Sequence, residues 1–137
     1  MTTAREIMTA DVTCVGENET LADAARKMAE LNVGSLPICG DDNRLKGMIT
    51  DRDIVTRAIA KGRDPKDVKA AELAQGKPVT IGADDDAGEV LSTMAGHRVR
   101  RLPVIDGHQL IGIVAVADVA RALPDRPVGD LIDAISA

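Results

Sequence analysis

The chain lacks aromatic side chains altogether, since its 137 residues include no Phe, Tyr or Trp. Proteins that bind single-stranded nucleic acids stack the bases on aromatic residues, and that surface is missing here. Positive charge is also scarce, with 17 Lys and Arg against 22 Asp and Glu, for a net charge of −5. Because nonspecific nucleic-acid affinity comes from cations that neutralise phosphates, we expect no nucleic-acid partner.

Long apolar runs are absent as well. No stretch approaches the roughly 20 residues that a membrane-spanning helix needs, and the N-terminus Met1–Glu6 has no apolar signal-peptide core. A composition of 45% hydrophobic and 28% charged residues is typical of a globular protein. We therefore predict a soluble cytoplasmic protein without a membrane partner, while export without a signal peptide stays open.

The reacting groups of common enzymes are missing from the sequence. No Ser or Cys occupies a nucleophile-elbow context, and no Walker lysine follows a glycine-rich loop. The two histidines, His97 and His108, lie in different predicted elements without Cys or carboxylates at metal-ligand spacing, so we interpret them as surface or turn residues. The sequence predicts neither an enzyme nor a metal site.

What the chain does contain is an internal sequence repeat. Asn32–Ile38 and Gly47–Asp53 return as Arg98–Val104 and Gly112–Asp118. The first pair is offset by 66 residues and the second by 65, so a single deletion in a loop restores the register. An internal repeat of this kind predicts a duplicated supersecondary unit. We divide the chain into a first repeat with its linker, 1–68, and a second repeat with a C-terminal tail, 69–137.

Each repeat is predicted to run strand, helix, strand, strand, helix. In the first repeat, Thr20 and Asp23 form a capping-box pattern that opens a helix with an apolar stripe. The remaining first-repeat elements are predicted at Val12–Val15, Leu36–Cys39, Leu45–Thr50 and Asp51–Ala60. The second repeat is predicted to place a strand at Val79–Ile81, a helix from Asp86, a hairpin turn at Asp106–Gly107, a helix at Val116–Leu123 and a further short helix at Pro127–Ile135.

The helix stripe consists of Leu21, Ala24, Ala25, Met28 and Leu31, all of which we predict to be buried. A strand, helix, strand unit with a right-handed crossover makes its two strands parallel neighbours. Each small sheet has one face covered by its own helices and needs cover on the other. The fold class is therefore α/β (α+β), with two repeats packed sheet to sheet in pseudo-twofold symmetry and a cleft on each side.

The doubled motif resembles the tandem cystathionine-β-synthase (CBS) domain pair, or Bateman module, over nearly the whole chain. Within that family it is most similar to the stand-alone actinobacterial hypoxic response proteins, which carry no attached enzyme or channel. The resemblance implies a regulatory homodimer that acts on an effector protein. It also implies clefts for an adenosyl ligand such as AMP, ATP or S-adenosylmethionine.

Thr50 and Asp53 are the first candidate ligand residues. They stand where a helix begins, so the Thr50 hydroxyl and the Asp53 carboxylate are placed to meet a phosphate and a ribose diol. The alternative is a capping box worth about 1 kcal/mol to the helix. The second repeat keeps the carboxylate as Asp118 but has Ala115 in place of Thr50.

The second repeat also carries Arg98, Arg100 and Arg101, the densest positive cluster of the chain. In CBS pairs, basic residues at this region contact nucleotide phosphates, and guanidinium groups supply suitable paired donors. The alternative is a solvated turn that pairs with acidic residues such as those of Asp84–Asp86. The first repeat has no charge at the matching positions, so we expect the two repeats to bind a nucleotide differently.

The two cysteines, Cys14 and Cys39, both lie in the first repeat. They are near the ends of strands that should be parallel neighbours, about 4.8 Å apart, which suits a disulfide. The alternative is a pair of reduced, buried thiols, as is usual in the cytosol.

Two functions therefore stay open. One is a ligand-sensing regulatory module. The other is a structural or interaction scaffold, stapled by its cysteines, that has lost nucleotide binding.

Overall fold

The computed structural model describes residues 2–74 and 78–123. Contacts between Cα atoms divide these residues into two compact units. Residues 13–74 with Pro78 form the first-repeat unit, and residues 2–12 with 79–123 form the second-repeat unit. The predicted helix at Pro127–Ile135 lies outside the described residues. No helix in the described ranges is long and apolar enough to cross a membrane.

The first-repeat unit contains a three-stranded sheet and two α-helices. Its elements are β2 (Val15–Gly16), α2 (Leu21–Leu31), β3 (Ser35–Cys39), β4 (Leu45–Thr50) and α3 (Asp51–Arg57), with short 3-10 helices at Ile59–Lys61, Pro65–Asp67 and Ala70–Leu73. The strand order of the sheet is β2-β3-β4. Strands β2 and β3 are parallel and β3 and β4 are antiparallel, which confirms that the first two strands of the repeat are parallel neighbours.

Helix α2 begins and ends at the residues that its sequence favours. The Thr20 hydroxyl accepts the Asp23 amide at 3.1 Å, and the Asp23 carboxylate accepts the Thr20 amide at 3.0 Å. This backbone hydrogen bond from Thr20 is the largest of the effects that lower the pKa of Asp23 below its ordinary value. At the other end, Asn32 adopts a left-handed conformation with φ of 55°. The predicted capping box is confirmed.

The second-repeat unit contains a four-stranded sheet. Its elements are a helical turn α1 (Ala4–Ile7), β1 (Thr9–Ala10), β5 (Ile81–Gly82), α4 (Ala87–His97), β6 (Arg101–Asp106), β7 (Gln109–Ala115) and α5 (Val116–Ala122). The strand order of the sheet is β1-β7-β6-β5. The mixed α/β class and the repeated element order are confirmed. The fourth strand is an addition, because β1 pairs antiparallel with β7 and was not predicted.

Element boundaries differ from the prediction mainly at the first strand of each repeat. Strands β2 and β5 begin at Val15 and Ile81, later than predicted, and each has only two residues. Helix α3 ends at Arg57, short of the predicted Ala60, and a 3-10 helix follows at Ile59–Lys61. Short runs of apolar residues carry too little periodicity to fix such ends.

The segment at the start of each sequence repeat belongs to the compact unit of the other repeat. Residues 2–10 belong to the second-repeat unit, where Ala4 is fully buried. Residues 68–74 belong to the first-repeat unit, where Val68, Ala70 and Leu73 join the core. The compact units therefore differ from the contiguous sequence repeats 1–68 and 69–137.

The two exchanged segments are held by matching backbone hydrogen bonds. Ala4 donates to the Asp85 carbonyl at 2.8 Å, and Ala70 donates to the Glu19 carbonyl at the same distance. Likewise, the Ala87 amide donates to the Thr2 carbonyl at 2.9 Å. The equivalent bond from Leu21 to Val68 is also 2.9 Å. The 66-residue repeat thus extends to the hydrogen bonds that dock each segment.

Candidate functional site

Each unit has a polar corner where its last helix begins. We define the first corner as Ser35, Thr50, Asp51 and Asp53, and the second corner as Arg100, Arg101, Ala115 and Asp118. Strand pairing places Ser35 opposite Thr50 in one unit and Arg101 opposite Ala115 in the other. The helices that begin here, α3 and α5, have only seven residues each. Binding at either corner must therefore rely chiefly on side chains rather than on a helix dipole.

At the first corner, Thr50 and Asp53 bind each other's backbone. The Thr50 hydroxyl oxygen accepts the Asp53 amide at 3.0 Å, and Asp53 Oδ2 accepts the Thr50 amide at 3.1 Å. The second carboxylate oxygen, Oδ1, lies 3.8 Å from an Arg57 guanidinium nitrogen. The capping role is therefore present in the structure.

Capping does not exhaust the hydrogen-bonding capacity of these two residues. The Thr50 hydroxyl can still donate its proton, and each carboxylate oxygen of Asp53 has a further lone pair. The Asp53 side chain is 30% exposed, so a ligand hydroxyl can reach it. The first corner offers a carboxylate and a hydroxyl, but no cation beyond Arg57 contacts Asp53 among the described residues.

At the second corner, Asp118 is more enclosed than its counterpart Asp53. Its Oδ2 accepts the Ala115 amide at 2.7 Å, and its Oδ1 accepts a hydrogen bond from Arg121. The Asp118 side chain is only 9% exposed. This carboxylate is thus occupied as a helix cap and ion-pair partner, and the exposed groups at this corner are arginines.

The cluster of Arg98, Arg100 and Arg101 lies on the segment that leads to this corner. Arg98 ends α4 in a left-handed conformation with φ of 54°, and the Arg100 carbonyl accepts the Val116 amide at 3.0 Å. Arg98, Arg100 and Arg101 are all exposed. The structure therefore brings Arg100 and Arg101 to the start of α5, beside Ala115.

The suggested pairing of these arginines with Asp84–Asp86 is not found. Within residues 2–74 and 78–123, no carboxylate forms an ion pair with Arg98, Arg100 or Arg101. The acidic run is engaged elsewhere: Asp84 pairs with Arg5, Asp85 accepts the Gly82 amide, and Asp86 caps α4. Among the described residues, therefore, no carboxylate competes with an external anion for the arginine cluster.

Cys14 and Cys39 form a disulfide, with their Cα atoms 5.8 Å apart. Cys39 is the last residue of β3, and the parallel neighbour β2 begins directly after Cys14. Lys27 donates to the Cys14 carbonyl at 3.0 Å and to Glu19 at 2.8 Å. Its hydrogen bond to Glu19 is the main reason that the pKa of this carboxyl is lowered.

An open groove between α2 and α3 is a feature that the sequence prediction missed. We call it the helical groove; it encloses about 590 Å³ and is lined by residues that include Ala25, Ala29, Gly34, Asp51, Val55 and Ile59. Ala25 and Leu31 were predicted to be buried with the α2 stripe, but both are exposed. They were misassigned because the stripe of α2 is wider than the face that the sheet covers.

The groove could have been found by comparing the repeats position by position. Ala25 and Gly34 of the first repeat correspond to Leu91 and Arg100 of the second. Leu91 packs against the core of its unit, whereas the small residues of the first repeat leave space. The sequence signal for the groove is the smaller side-chain volume at these positions of the first repeat, not a motif.

In the part of the chain that the structure describes, no group of three or more His, Cys, Asp or Glu side chains is placed to hold a metal ion. His97 is the exposed last residue of α4, and His108 is exposed in the turn between β6 and β7. The two cysteines are joined to each other, so neither offers a thiolate.

Comparison with known proteins places the sequence repeat in a family. The model of the CBS domain matches residues 4–59 and again residues 70–125. The chain is 53% identical over 135 residues to hypoxic response protein 1 of Mycobacterium tuberculosis, covering 98% of this chain and 94% of the relative. It is 40% identical over 124 residues to the CBS domain-containing protein YhcV of Bacillus subtilis, covering 88% and 84%.

Solved structures show the same fold. Hypoxic Response Protein I, described with two coordinated zinc ions, has a TM-score of 0.84 at 55% identity, covering 90% of this chain and all of its own. CBSX2 in complex with AMP has a TM-score of 0.76 at 25% identity, covering 89% of this chain and 96% of its own.

Proposed function

The chain belongs to the CBS-domain family, and from this premise we propose that it is a non-enzymatic sensor that binds an adenosyl ligand and relays its presence to an effector protein. CBSX2 is described in complex with AMP, which supports a ligand of this class. The single observation that carries the proposal is the cluster of Arg98, Arg100 and Arg101, exposed and without a carboxylate partner in the described residues. We assign this cluster to the ligand's phosphate.

Guanidinium groups suit this task because they stay charged and present paired donors to phosphate oxygens. Three of them on one exposed segment of an otherwise acidic chain repel one another unless an anion lies between them. Because the first repeat has Gly34 and Ser35 at the positions of Arg100 and Arg101, we assign phosphate binding to the second corner.

The first corner suits a different part of a nucleoside. Asp53 is accessible and has spare acceptor capacity, so its carboxylate can accept hydrogen bonds from both hydroxyls of a ribose. Thr50 can add a donor. The first corner therefore favours the sugar of an adenosyl compound, whereas the second corner favours a phosphate.

The two zinc ions are described for Hypoxic Response Protein I and have no part in the function proposed for this chain. The described residues offer no set of three metal ligands, and the disulfide removes the two thiols. None of the chemistry assigned to the two corners needs a metal.

The protein is further proposed to act as a homodimer. Leu31, Val55 and Ile59 are 47%, 54% and 54% exposed, and they are the large hydrophobic side chains most open to solvent in the described residues. Val55 and Ile59 line the helical groove, and Leu31 precedes the groove residue Asn32. Such a concentrated apolar surface is typical of an interface.

A thermal-shift screen with adenosine, AMP, ATP and S-adenosylmethionine tests the ligand assignment. A ligand at 100 times its dissociation constant should stabilise the fold by about 2.7 kcal/mol. Arg100→Glu should remove the part of the AMP and ATP shifts that depends on the phosphate. Asp53→Asn should weaken the shift by adenosine, because an amide accepts fewer hydrogen bonds than a carboxylate.

Matched controls separate binding from a general charge effect. Lys66→Glu makes the same charge change as Arg100→Glu at an exposed position in the 3-10 helix Pro65–Asp67, and Asp41→Asn matches Asp53→Asn in an exposed turn. Both controls should respond to ligand as the wild type does. If no compound in the panel shifts the wild-type melting temperature, the sensor proposal is wrong for these ligands.

A further inference from the structure

Arg57, the last residue of α3, lies between the candidate ribose carboxylate and a segment that follows the helix in sequence. Its Nη1 donates a hydrogen bond to the Leu73 carbonyl oxygen at 2.9 Å and lies 3.8 Å from Asp53 Oδ1. The Arg57 side chain is 29% exposed, so most of it is packed within the first-repeat unit. Because a guanidinium group has five N–H donors, it can serve the carbonyl and the carboxylate together.

Arg57 completes the orientation of the Asp53 carboxylate. Asp53 Oδ2 accepts the Thr50 amide at 3.1 Å, and Oδ1 is the oxygen that lies beside Arg57. The terminal torsion of an Asp side chain has a broad preference, so one fixed oxygen leaves the plane of the carboxylate free to turn. A ribose diol donates from two hydroxyls and needs both oxygens in place. The charge of Arg57 beside Oδ1 therefore sets the plane in which a diol binds.

The segment that Arg57 reaches belongs by sequence to the other repeat. We call residues 69–74 the docked segment, because they lie in the first-repeat unit although the second sequence repeat begins with them. Its backbone is held by the Ala70 amide, which donates to the Glu19 carbonyl at 2.8 Å. Leu73 is buried in the core. The hydrogen bond from Arg57 thus connects the first corner to the docked segment within a single unit.

The described residues of the second-repeat unit lack this connection. The residue at the position of Arg57 is Ala122, whose side chain has no donor. Asp118 pairs instead with Arg121, which is 70% exposed and donates to no other described residue. A side chain that links the corner carboxylate to the neighbouring segment is therefore a feature of the first repeat.

We propose that Arg57 is a positioning residue, which orients Asp53 for the ribose and couples ligand binding to the docking of residues 69–74. This inference rests on the adenosyl ligand proposed above and adds how its occupancy reaches another part of the chain. When both ribose hydroxyls donate to Asp53, they hold the carboxylate in the orientation that Arg57 sets while it is bound to Leu73. The ligand thus favours the docked segment, and the docked segment favours the ligand.

Adenosine is the probe for this proposal, because it carries the ribose without the phosphate assigned to the arginine cluster. In isothermal titration calorimetry, Arg57→Gln should raise the Kd for adenosine about fivefold or more, a size typical of coupling between sites. Arg52→Gln is the matched control, because it removes the same charge from the same helix, and Arg52 is exposed with no ion pair among the described residues. The control should leave the Kd within about twofold of the wild-type value, since exposed charges are screened by salt.

Hydrogen exchange of the docked segment measures the coupling itself. Saturating adenosine should slow the exchange of its amides about fivefold in the wild type, because linkage makes the effect of the ligand on the segment equal to the effect of the segment on the ligand. This slowing should disappear in Arg57→Gln and persist in Arg52→Gln. A merely structural hydrogen bond predicts that Arg57→Gln speeds exchange without ligand but leaves the Kd and the slowing as in the wild type. That result would overturn the proposal.

The outcomes separate this proposal from the function on which it rests. If the wild type binds adenosine and Arg57→Gln binds it equally well, Arg57 is not a positioning residue, while the ligand assignment stands. If the wild type does not bind adenosine, the ribose assignment at the first corner is wrong, and this proposal is wrong with it. If Arg57→Gln fails to fold, Arg57→Lys provides the same test. Its single ammonium group cannot reproduce the fork of donors, so the Kd should rise about twofold or more and the slowing should shrink.

Discussion

The two units have the same element order but hold their parts together by different means. The first-repeat unit joins β2 and β3 through Cys14–Cys39, whereas the equivalent positions of the second-repeat unit are Thr80 and Ile105. The second-repeat unit instead gains a fourth strand from residues 9–10. A duplicated fold can therefore diverge in its stabilising contacts as well as in its ligand residues.

The largest expected difference concerns the disulfide. Because the bond links residues separated by 25 positions, Cys14→Ser with Cys39→Ser should lower the free energy of unfolding by about 3 kcal/mol through the added entropy of the unfolded chain. Hydrogen exchange monitored by mass spectrometry should show faster exchange in the first-repeat unit after reduction. If hydrogen exchange became faster by the same factor in both units, the disulfide would not stabilise the first-repeat unit selectively.

Glycine substitutions probe the exchanged segments next. A Cβ on Gly112 would stand 2.8 Å from the Thr9 carbonyl oxygen, and one on Gly47 would stand 2.9 Å from the Ala74 Cβ. Gly112→Ala should therefore lower the unfolding free energy by about 1–3 kcal/mol. Gly47→Ala should lower it by less, because the Ala74 methyl group can shift more easily than the backbone of a paired strand. Urea unfolding measures both.

Gly96 provides the control for these variants. It lies within α4, and a Cβ there would meet nothing within 4 Å. Gly96→Ala should stabilise the protein by about 0.5–1 kcal/mol, because alanine is the better helix former. If Gly112→Ala were as harmless as Gly96→Ala, the N-terminal segment would not be docked on β7.

Exchange of the helix caps should have a smaller effect. Thr50 and Ala115 have nearly the same backbone angles, with φ of −116° and −112°. Thr50→Ala should lower the free energy of unfolding by about 1 kcal/mol. Ala115→Thr should raise it by part of that amount, because the new hydroxyl oxygen can accept the Asp118 amide. Thermal unfolding of the two variants and of the double exchange checks this, and a destabilising Ala115→Thr would refute it.

The smallest expected effect depends on pH. The pKa of Glu19 lies below its ordinary value of 4.5, chiefly because Lys27 donates a hydrogen bond to it and the Gly16 amide adds another. The ionised carboxylate therefore stabilises the fold above the unfolded-state pKa, and this contribution is lost as the pH falls through the folded-state pKa. The exposed pair is worth at most about 1 kcal/mol.

Glu19→Gln measures that contribution directly. The difference in unfolding free energy between wild type and variant should be constant near neutral pH and shrink below pH 4.5. Asp85 occupies the equivalent position and accepts the Gly82 amide, but forms no ion pair with a described residue. Asp85→Asn is the matched control, and a difference that does not vary with pH for Glu19→Gln would contradict the ion-pair explanation.

The parts of the fold that were predictable from sequence are those with local signals. The capping-box pattern of Thr20 and Asp23 predicts the start of α2. The parallel placement of β2 and β3 brings Cys14 close enough to Cys39 for a disulfide. The candidate residues Arg100, Arg101 and Asp118 do lie around one corner of the second-repeat unit.

Other features depend on contacts between distant residues and leave little local trace. Residues 4–7 form a helix of one turn, too short for a periodic pattern, yet Ala4 is fully buried in the second-repeat unit. The helical groove arises because Ala25 and Gly34 lack volume beside α3. The burial of Asp118 is likewise set by its surroundings, because Asp53 has the same local sequence role but a more exposed side chain.

Isothermal titration calorimetry with AMP tests the central claim, that the two repeats share a fold but not their ligand chemistry. Asymmetric corners predict phosphate-dependent binding at one site per chain, weakened by added salt and lost in the double variant Arg100→Glu, Arg101→Glu. The Lys66→Glu control should bind as the wild type does. Two equal sites per chain, or full affinity in the double variant, would contradict the claim.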